Sequence, residues 1–227
     1  MPSFTFMLRQ EAQWLGSWLA AQPSETVFPL CNIGSSTQRF RSVTQPWIDE
    51  HLFAGARAAG RSVIHVDRKP EAGVDLVGDV CDPSFVAELE HRRVRTVLCS
   101  NLLEHVDDVV GVCGALWNLV PARGNLVISG PYRYPLHPDP IDNGLRASPD
   151  ELAALFPGAQ VIDAALIEDG TFARYLMRSP LVALDELASV FTFWRGQRWI
   201  ANLRRWSWLH RRFVAAAVIL RKPALSA

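Results

Sequence analysis

The sequence predicts an α/β protein built on a doubly wound, seven-stranded sheet. Three observations carry this. Short apolar runs alternate with amphipathic stretches along most of the chain, the order that puts helices on both faces of a parallel sheet. The run 97–106, VLCSNLLEHV, turns abruptly from apolar to polar, as a strand covered on both faces does where it leaves the core. A second apolar run, VIHVD at Val63–Asp67, ends on a carboxylate. In open α/β sheets ligands bind just beyond the carboxyl ends of the strands.

The elements follow in order. Met7–Ala21 has helical spacing, with Trp14, Leu15, Trp18 and Leu19 as its apolar stripe, and Pro23-Ser24 ends it. Thr26–Ile33 reads as the first strand, Gly34 and Ser35 as a turn, and the polar stretch Ser36–Thr44 as a loop. Pro46–Ala59 suits a helix, with proline in its first turn and Gly60 beyond its end. Ser62–Val66 and Leu76–Val77 follow as strands, Pro83–His91 as a helix, Thr96–Cys99 as strand four, Val109–Leu119 as a helix and Asn125–Ser129 as strand five. Ser148 before Pro149 is a helix start for Pro149–Phe156. Val161–Ile167 and Val214–Leu220 complete the sheet. The forty-odd residues 171–212 between them read as a helical, basic, Trp-rich insertion, leaving 1–170 and 213–223 as the main domain.

Composition narrows the class. The chain has 227 residues, 49% of them hydrophobic, enough to bury a sizeable core. It has no apolar stretch long enough for a spanning helix, and its start lacks the pattern of a secretory signal. Cys31, Cys81, Cys99 and Cys113 have no metal-ligand spacing, and a reducing cytoplasm suits them. The formal net charge of zero hides an asymmetry. Eight basic and no acidic residues follow Glu186, which leaves 15 basic against 23 acidic residues in 1–186, a net of −8. A basic tail on an acidic body points to an interaction surface on the tail.

The runs LCNIGSST (Leu30–Thr37), VIHVD and VLCSNLLEHV together resemble the class I S-adenosylmethionine-dependent methyltransferases, with a Rossmann-like sheet. The resemblance covers Thr26–Ile167 and Val214–Pro223. It implies S-adenosylmethionine as cofactor. Asn32, Gly34, Ser35 and Ser36 would meet its methionine end, Asp67 its ribose hydroxyls, Asp79 and Val80 its adenine, and Asn101 and Leu102 the sulfonium region. The sequence departs from the family at Asn32, where an acid is usual, and retains only Gly34 of the usual glycines. Each assignment has a plainer counterpart: a simple strand-turn at Gly34, an exposed acid at Asp67, and a helix cap at Asp79 or Asp82, of which Asp82 fits the cap better and leaves Asp79 for the ligand.

Glu104 and His105 are the candidate catalytic pair, since a histidine titrating near neutrality can take a proton from an acceptor hydroxyl. Their alternative is to fix the loop, because aligning donor and acceptor supplies much of the acceleration in such transfers. The proline-stiffened segment Pro131–Arg146 offers Tyr132, Tyr134, His137, Asp139, Asp142 and Arg146 for acceptor recognition. His137, Asp139 and Asp142 suit a hard cation by chemistry, but no spacing demands one and no metal site is expected. In the tail, Trp199, Leu203, Trp206, His210 and Phe213 would share one helical face, opposite Arg204, Arg205, Arg211 and Arg212. Residues 194–213 would then touch a membrane surface, or pack on the domain or a second copy in a homodimer. Nucleic acid is disfavoured by the acidic body.

The expected function is methyl transfer from S-adenosylmethionine to a small-molecule, sugar or lipid-linked acceptor, with oxygen as the preferred atom, in the cytoplasm or at the inner face of its membrane. A catalytically inactive, membrane-associated scaffold is the alternative. A nicotinamide-dependent oxidoreductase is disfavoured because GxGxxG is absent.

Overall fold

The computed structural model describes residues 7–137, 141–177, 180–191 and 197–224. Its helices are α1 (Arg9–Ala21), α2 (Ser24–Val27), α3 (Pro46–Ile48), α4 (Ala54–Ala58), α5 (Pro83–Glu90), α6 (Val109–Leu119), α7 (Pro149–Ala154), α8 (Phe172–Leu176), α9 (Pro180–Val190) and α10 (Gln197–Trp206). Its strands are β1 (Leu30–Ile33), β2 (Val63–Asp67), β3 (Leu76–Val77), β4 (Thr96–Ser100), β5 (Asn125–Arg133), β6 (Gln160–Thr171) and β7 (Arg212–Arg221). They form one seven-stranded sheet in the order β3-β2-β1-β4-β5-β7-β6. β1 to β5 run parallel, and β7 lies antiparallel to both β5 and β6.

The two-residue side-chain period of a strand divides the sheet between two cores. Cys31, Ile33, Val97, Cys99, Leu126 and Ile128 meet α5, α6 and α7 through residues such as Phe85, Leu116 and Leu152. Leu30, Leu98, Val127 and Ile219 meet α1 and the 46–58 segment through Leu15, Trp18, Trp47, Leu52 and Phe53. A third cluster gathers Leu8, Tyr134, Phe172, Phe213 and Ala215, with Trp206 and Trp208 packed at its edge.

Most of the predicted elements are present, and the differences have local causes. The first strand begins at Leu30 instead of Thr26. Ser24–Val27 closes a helical turn, with Thr26 N donating to Pro23 O at 3.0 Å, and Pro29 has no N–H to give a ladder. The expected loop 36–44 ends in a π-turn, Phe40–Thr44, in which Gln45 N donates to Phe40 O at 2.8 Å. The expected helix 46–59 is broken by a second π-turn at Asp49–Phe53, and Gly60, at φ +66°, ends it. β5 runs on to Arg133, so Pro131 and Tyr132 belong to the sheet and the free loop starts at Tyr134. Among the described residues three helices lie between β6 and β7, but the single helical face expected there is interrupted. Phe213 is buried in β7, and His210 lies in the turn that follows α10. Trp206 meets the Phe172 ring edge-on at 5.6 Å, and Trp199 Nε1 donates to Val190 O at 2.6 Å. Those two tryptophans are thus half-buried against their neighbours. Arg205 and the start of 194–213 lie outside the described side chains. No helix among the described residues is long and apolar enough to cross a membrane.

Close packing of α1 depends on Gly16, where a Cβ would overlap the His51 carbonyl. Gly16→Ala should therefore lower stability by about 1–3 kcal/mol. Gly55→Ala, with open space around it, should be neutral or stabilising by about 0.5–1 kcal/mol. Urea unfolding of the two variants checks the pair, and equal effects would contradict this packing.

Candidate active site

The sheet reverses winding between β1 and β4, and the crevice at that point is where an open α/β sheet binds ligands. A cavity of about 220 Å³ lies there. Asn32, Gly34, Ser35, Ser36, Asn101 and His105 line it from the strand ends, with Ser100 and Leu98 behind them and Arg41, Phe40, Ile48, Leu52, Phe53 and Met7 forming the rest of the wall. Gly34 sits at φ +71°, and a Cβ on it would come within 3.1 Å of Leu102 Cδ1. Only glycine gives both this backbone and this closeness without strain. The Ser100 hydroxyl oxygen is buried with no hydrogen-bond partner among the described residues.

Asn32 is buried beside His65, its amide nitrogen 3.2 Å from His65 Nδ1. Burial lowers the His65 pKa to about 4, so the ring stays neutral. With Nδ1 accepting, the Asn32 amide oxygen is left for another donor. Arg41 is the residue the sequence did not flag. Its guanidinium donates to Ser35 O at 2.8 Å, Ser36 O at 2.6 Å and Gly73 O at 2.7 Å, bringing a cation to the cavity wall.

Four of the expected cofactor residues lie outside the cavity lining. Asp67 accepts from Ser36 N at 2.8 Å and from Lys69 N at 3.1 Å, clamping the turn after β1 to the end of β2. Leu102 packs under Gly34. Val80 is buried in the core with Phe85. Asp79 is partly exposed, 3.5 Å from Arg68, and accepts from Cys81 N. The cap of α5 is Asp82, which accepts from Ser84 N, so Asp79 is not needed there.

Asn101 holds a left-handed conformation at φ +51°, which asparagine tolerates better than most residues. Its amide donates to Glu11 Oε1 at 2.9 Å, and Ser129 Oγ donates to the same oxygen at 2.6 Å. Glu11 comes from α1 and is fully buried. Burial pushes its pKa up to about 7, against the hydrogen bonds from Ser129, Leu8 and Asn101. A signal for it existed in the sequence. Glu11 precedes Leu15 by four and Trp18 by seven, which puts an acid on the apolar stripe.

On the other side of Asn101, Glu104 and His105 occupy a 3-10 turn, Leu103–His105. Glu104 is buried, and burial raises its pKa to about 8. His137 comes from the loop after β5, and burial lowers its pKa to about 4. Tyr134 and His137 line a second, much smaller cavity beside Asn101 and Glu11. Asp142 and Arg146 mainly hold this loop together. Arg146 pairs with Asp142 at 2.7 Å and donates to the Tyr134 and Pro135 carbonyls. Burial works against the Asp142 charge, but hydrogen bonds from Arg146, His137 and Gly144 outweigh it and keep its pKa below the usual value. Tyr132 packs against the main core, and Asp139 lies outside the described residues.

No family model and no curated protein matches the sequence. Solved structures share its fold. The MccD protein aligns with a TM-score of 0.55 at 13% identity, over 94% of this chain and 97% of that one. A SAM-dependent methyltransferase from Archaeoglobus fulgidus aligns at 0.50 and 13%, over 93% and 94%. Coclaurine N-methyltransferase bound to N-methylheliamine and SAH aligns at 0.51 and 12%, over 93% and 69%. The chain thus has the Rossmann-like fold of the S-adenosylmethionine-dependent methyltransferases.

The Glu11 carboxyl gives a pH signature. Its pKa is raised on folding, so the stability it contributes is complete below about pH 4.5 and is lost as the pH rises through about 7. Glu11→Gln should remove this loss. Relative to wild type, the variant should gain about 2 kcal/mol between pH 5.5 and 7.5 in urea unfolding. A constant difference across that range would contradict a protonated Glu11.

Proposed function

We propose that this protein is a methyltransferase that moves a methyl group from S-adenosylmethionine to a small-molecule acceptor. The observation that carries the reading is the cavity at the β1–β4 switch point, lined by Asn32, Gly34, Ser35, Ser36, Asn101 and His105. The residues present fit the cofactor. The Ser100 hydroxyl in the cavity wall lacks a partner among the described residues, and Gly34 brings bare backbone to the same wall. When bound, the cofactor supplies a methyl group on a positively charged sulfur.

The roles rest on the chemistry of the lining and, for Asp67, Asp79, Val80 and Leu102, on the resemblance. The Asn32 amide oxygen accepts from the cofactor's ammonium, in place of the usual acid. Arg41 offers a guanidinium to its carboxylate. Asp67, while holding the Ser36 turn, presents its remaining lone pairs to the ribose hydroxyls, and Asp79 and Val80 border the adenine. Asn101 and Leu102 set the floor near the sulfur. Tyr132, Tyr134 and His137 shape the acceptor side, and Asp142 and Arg146 keep that loop in place. An oxygen acceptor, on a small molecule, a sugar or a lipid-linked carrier, suits the Glu104–His105 pair, because such a hydroxyl must lose a proton.

Calorimetry with S-adenosylhomocysteine tests this reading. Wild type should bind one equivalent, and Asp67→Ala should weaken binding by about 1–3 kcal/mol. Absence of binding by wild type would favour an inactive scaffold on the same fold.

A second surface bears on the partner. Met177, Leu184, Leu187, Phe191 and Ile200 are exposed around α9 and α10, Phe191 by 72%, and Arg204, Arg211 and Arg212 are exposed nearby. We read this as peripheral contact with anionic headgroups at the inner face of the cytoplasmic membrane. Vesicles containing phosphatidylserine should sediment the protein at low salt and release it at high salt, with Phe191→Ser reducing the bound fraction. Self-association without vesicle binding would instead make this face a homodimer contact.

A further inference from the structure

Glu104, His105 and His137 converge in a way that an acid-base role leaves unexplained. His105 Nδ1 lies 2.6 Å from the Ile141 carbonyl oxygen, and His137 Nδ1 lies 3.0 Å from that of Pro135. A carbonyl can only accept, so each Nδ1 carries its ring's proton and each Nε2 is left with a lone pair. Both lone-pair nitrogens approach the same atom. His105 Nε2 is 3.8 Å and His137 Nε2 is 3.9 Å from Glu104 Oε1. These separations are too long for hydrogen bonds. The carboxylate is 1% exposed, and its Oε1 has no hydrogen-bond partner among the described residues.

Three acceptor atoms from two loops thus lie within 4.8 Å of one another. A proton on Glu104 could serve one imidazole and would leave the other facing it unsatisfied. A single cation satisfies all three. An ion with bonds of about 2.1 Å holds neighbouring ligand atoms about 3.0–3.4 Å apart. The observed 3.8 and 3.9 Å separations lie less than about 1 Å outside that range.

The surroundings are built to aim these ligands. The Nδ1–carbonyl hydrogen bonds fix both rings in the tautomer a metal requires. Asp142 Oδ2 lies 3.3 Å from His137 Nδ1 and accepts from the His137 backbone N–H. The Asn143 amide donates to the Leu103 and Val106 carbonyls, each at 2.8 Å, and Asn143 N donates to Glu104 O at 2.9 Å. The turn carrying Glu104 and His105 is therefore stapled to the loop carrying His137.

We propose that Glu104, His105 and His137 form a two-histidine, one-carboxylate site for a divalent first-row transition ion. Two imidazoles with one carboxylate suit Zn²⁺, Mn²⁺, Fe²⁺ or Co²⁺ better than Mg²⁺ or Ca²⁺, which take oxygen ligands. Three protein ligands leave the ion open positions, as catalytic sites do. His105 lines the main cavity and His137 the smaller one, so an ion held by both would border both cavities. If methyl transfer is the reaction, a hydroxyl completing the shell there would be acidified. Ion binding itself does not rest on that reading.

The test uses the full, untagged chain after removal of metal with a chelator, with Zn²⁺ in calorimetry and Co²⁺ in visible absorption as probes. Wild type should bind one ion per chain, with the Co²⁺ bands of mixed nitrogen–oxygen coordination. Glu104→Gln, which keeps shape, and His137→Ala should each weaken binding by more than about tenfold, while His91→Ala, exposed just past the end of α5, should not. Thermal melts identify any variant that fails to fold, and Glu104→Gln alone then decides. No ion bound by wild type, or binding unchanged in both site variants, overturns the proposal. Binding of S-adenosylhomocysteine, measured in parallel, separates the two readings. A chain that binds it but no ion defeats the metal site alone, and a chain that binds the ion but no S-adenosylhomocysteine defeats methyl transfer alone.

Discussion

The structure depends on the in-register parallel pairing of β1 with β4. Leu30 stands beside Thr96 and Ile33 beside Cys99, so β1 ends within one residue of the end of β4. The chain then leaves β1 toward β2 and β4 toward β5. Two neighbouring strands whose connections depart in opposite directions open a crevice between them. The polar residues at that edge, from Asn32 to Ser36 and from Ser100 to His105, are brought together by this one pairing.

Two buried carboxylates flank the crevice, and they are satisfied differently. Glu11 accepts three hydrogen bonds and locks α1 onto the end of β4 and the middle of β5 through Asn101 and Ser129. Among the described residues, Glu104 has an oxygen with no such partner and two imidazole lone pairs facing it. A buried polar group usually finds a hydrogen bond, because leaving one unmade costs about 1–3 kcal/mol. Glu11 obeys that rule and is structural. Glu104 departs from it next to a cavity, where a departure points to a ligand.

Asn32 shows how an amide suits this buried position. An acid at this buried position would face a histidine that burial keeps neutral. The amide instead donates to His65 Nδ1 and keeps an acceptor oxygen. In the turn after β1, Gly34 combines a positive φ with a close approach to Leu102. Ser36 reaches φ +54° with its N–H held by Asp67.

The sequence by itself determined the alternation of strands and helices, the two-faced sheet and the polar cluster beyond strand four, since hydrophobic period and local breaks are written residue by residue. It also placed Asp82 and Ser148 as caps, which act over three residues. Only the tertiary structure decided that Arg41 folds back onto the Ser35–Ser36 turn, that Asp142 and Arg146 bind each other, and that Phe213 leaves the tail helix for a strand. It likewise decided that His137 meets Glu104 and His105. These depend on contacts between segments far apart in the chain, whose distances and partners are fixed by packing and leave no periodic trace in the sequence.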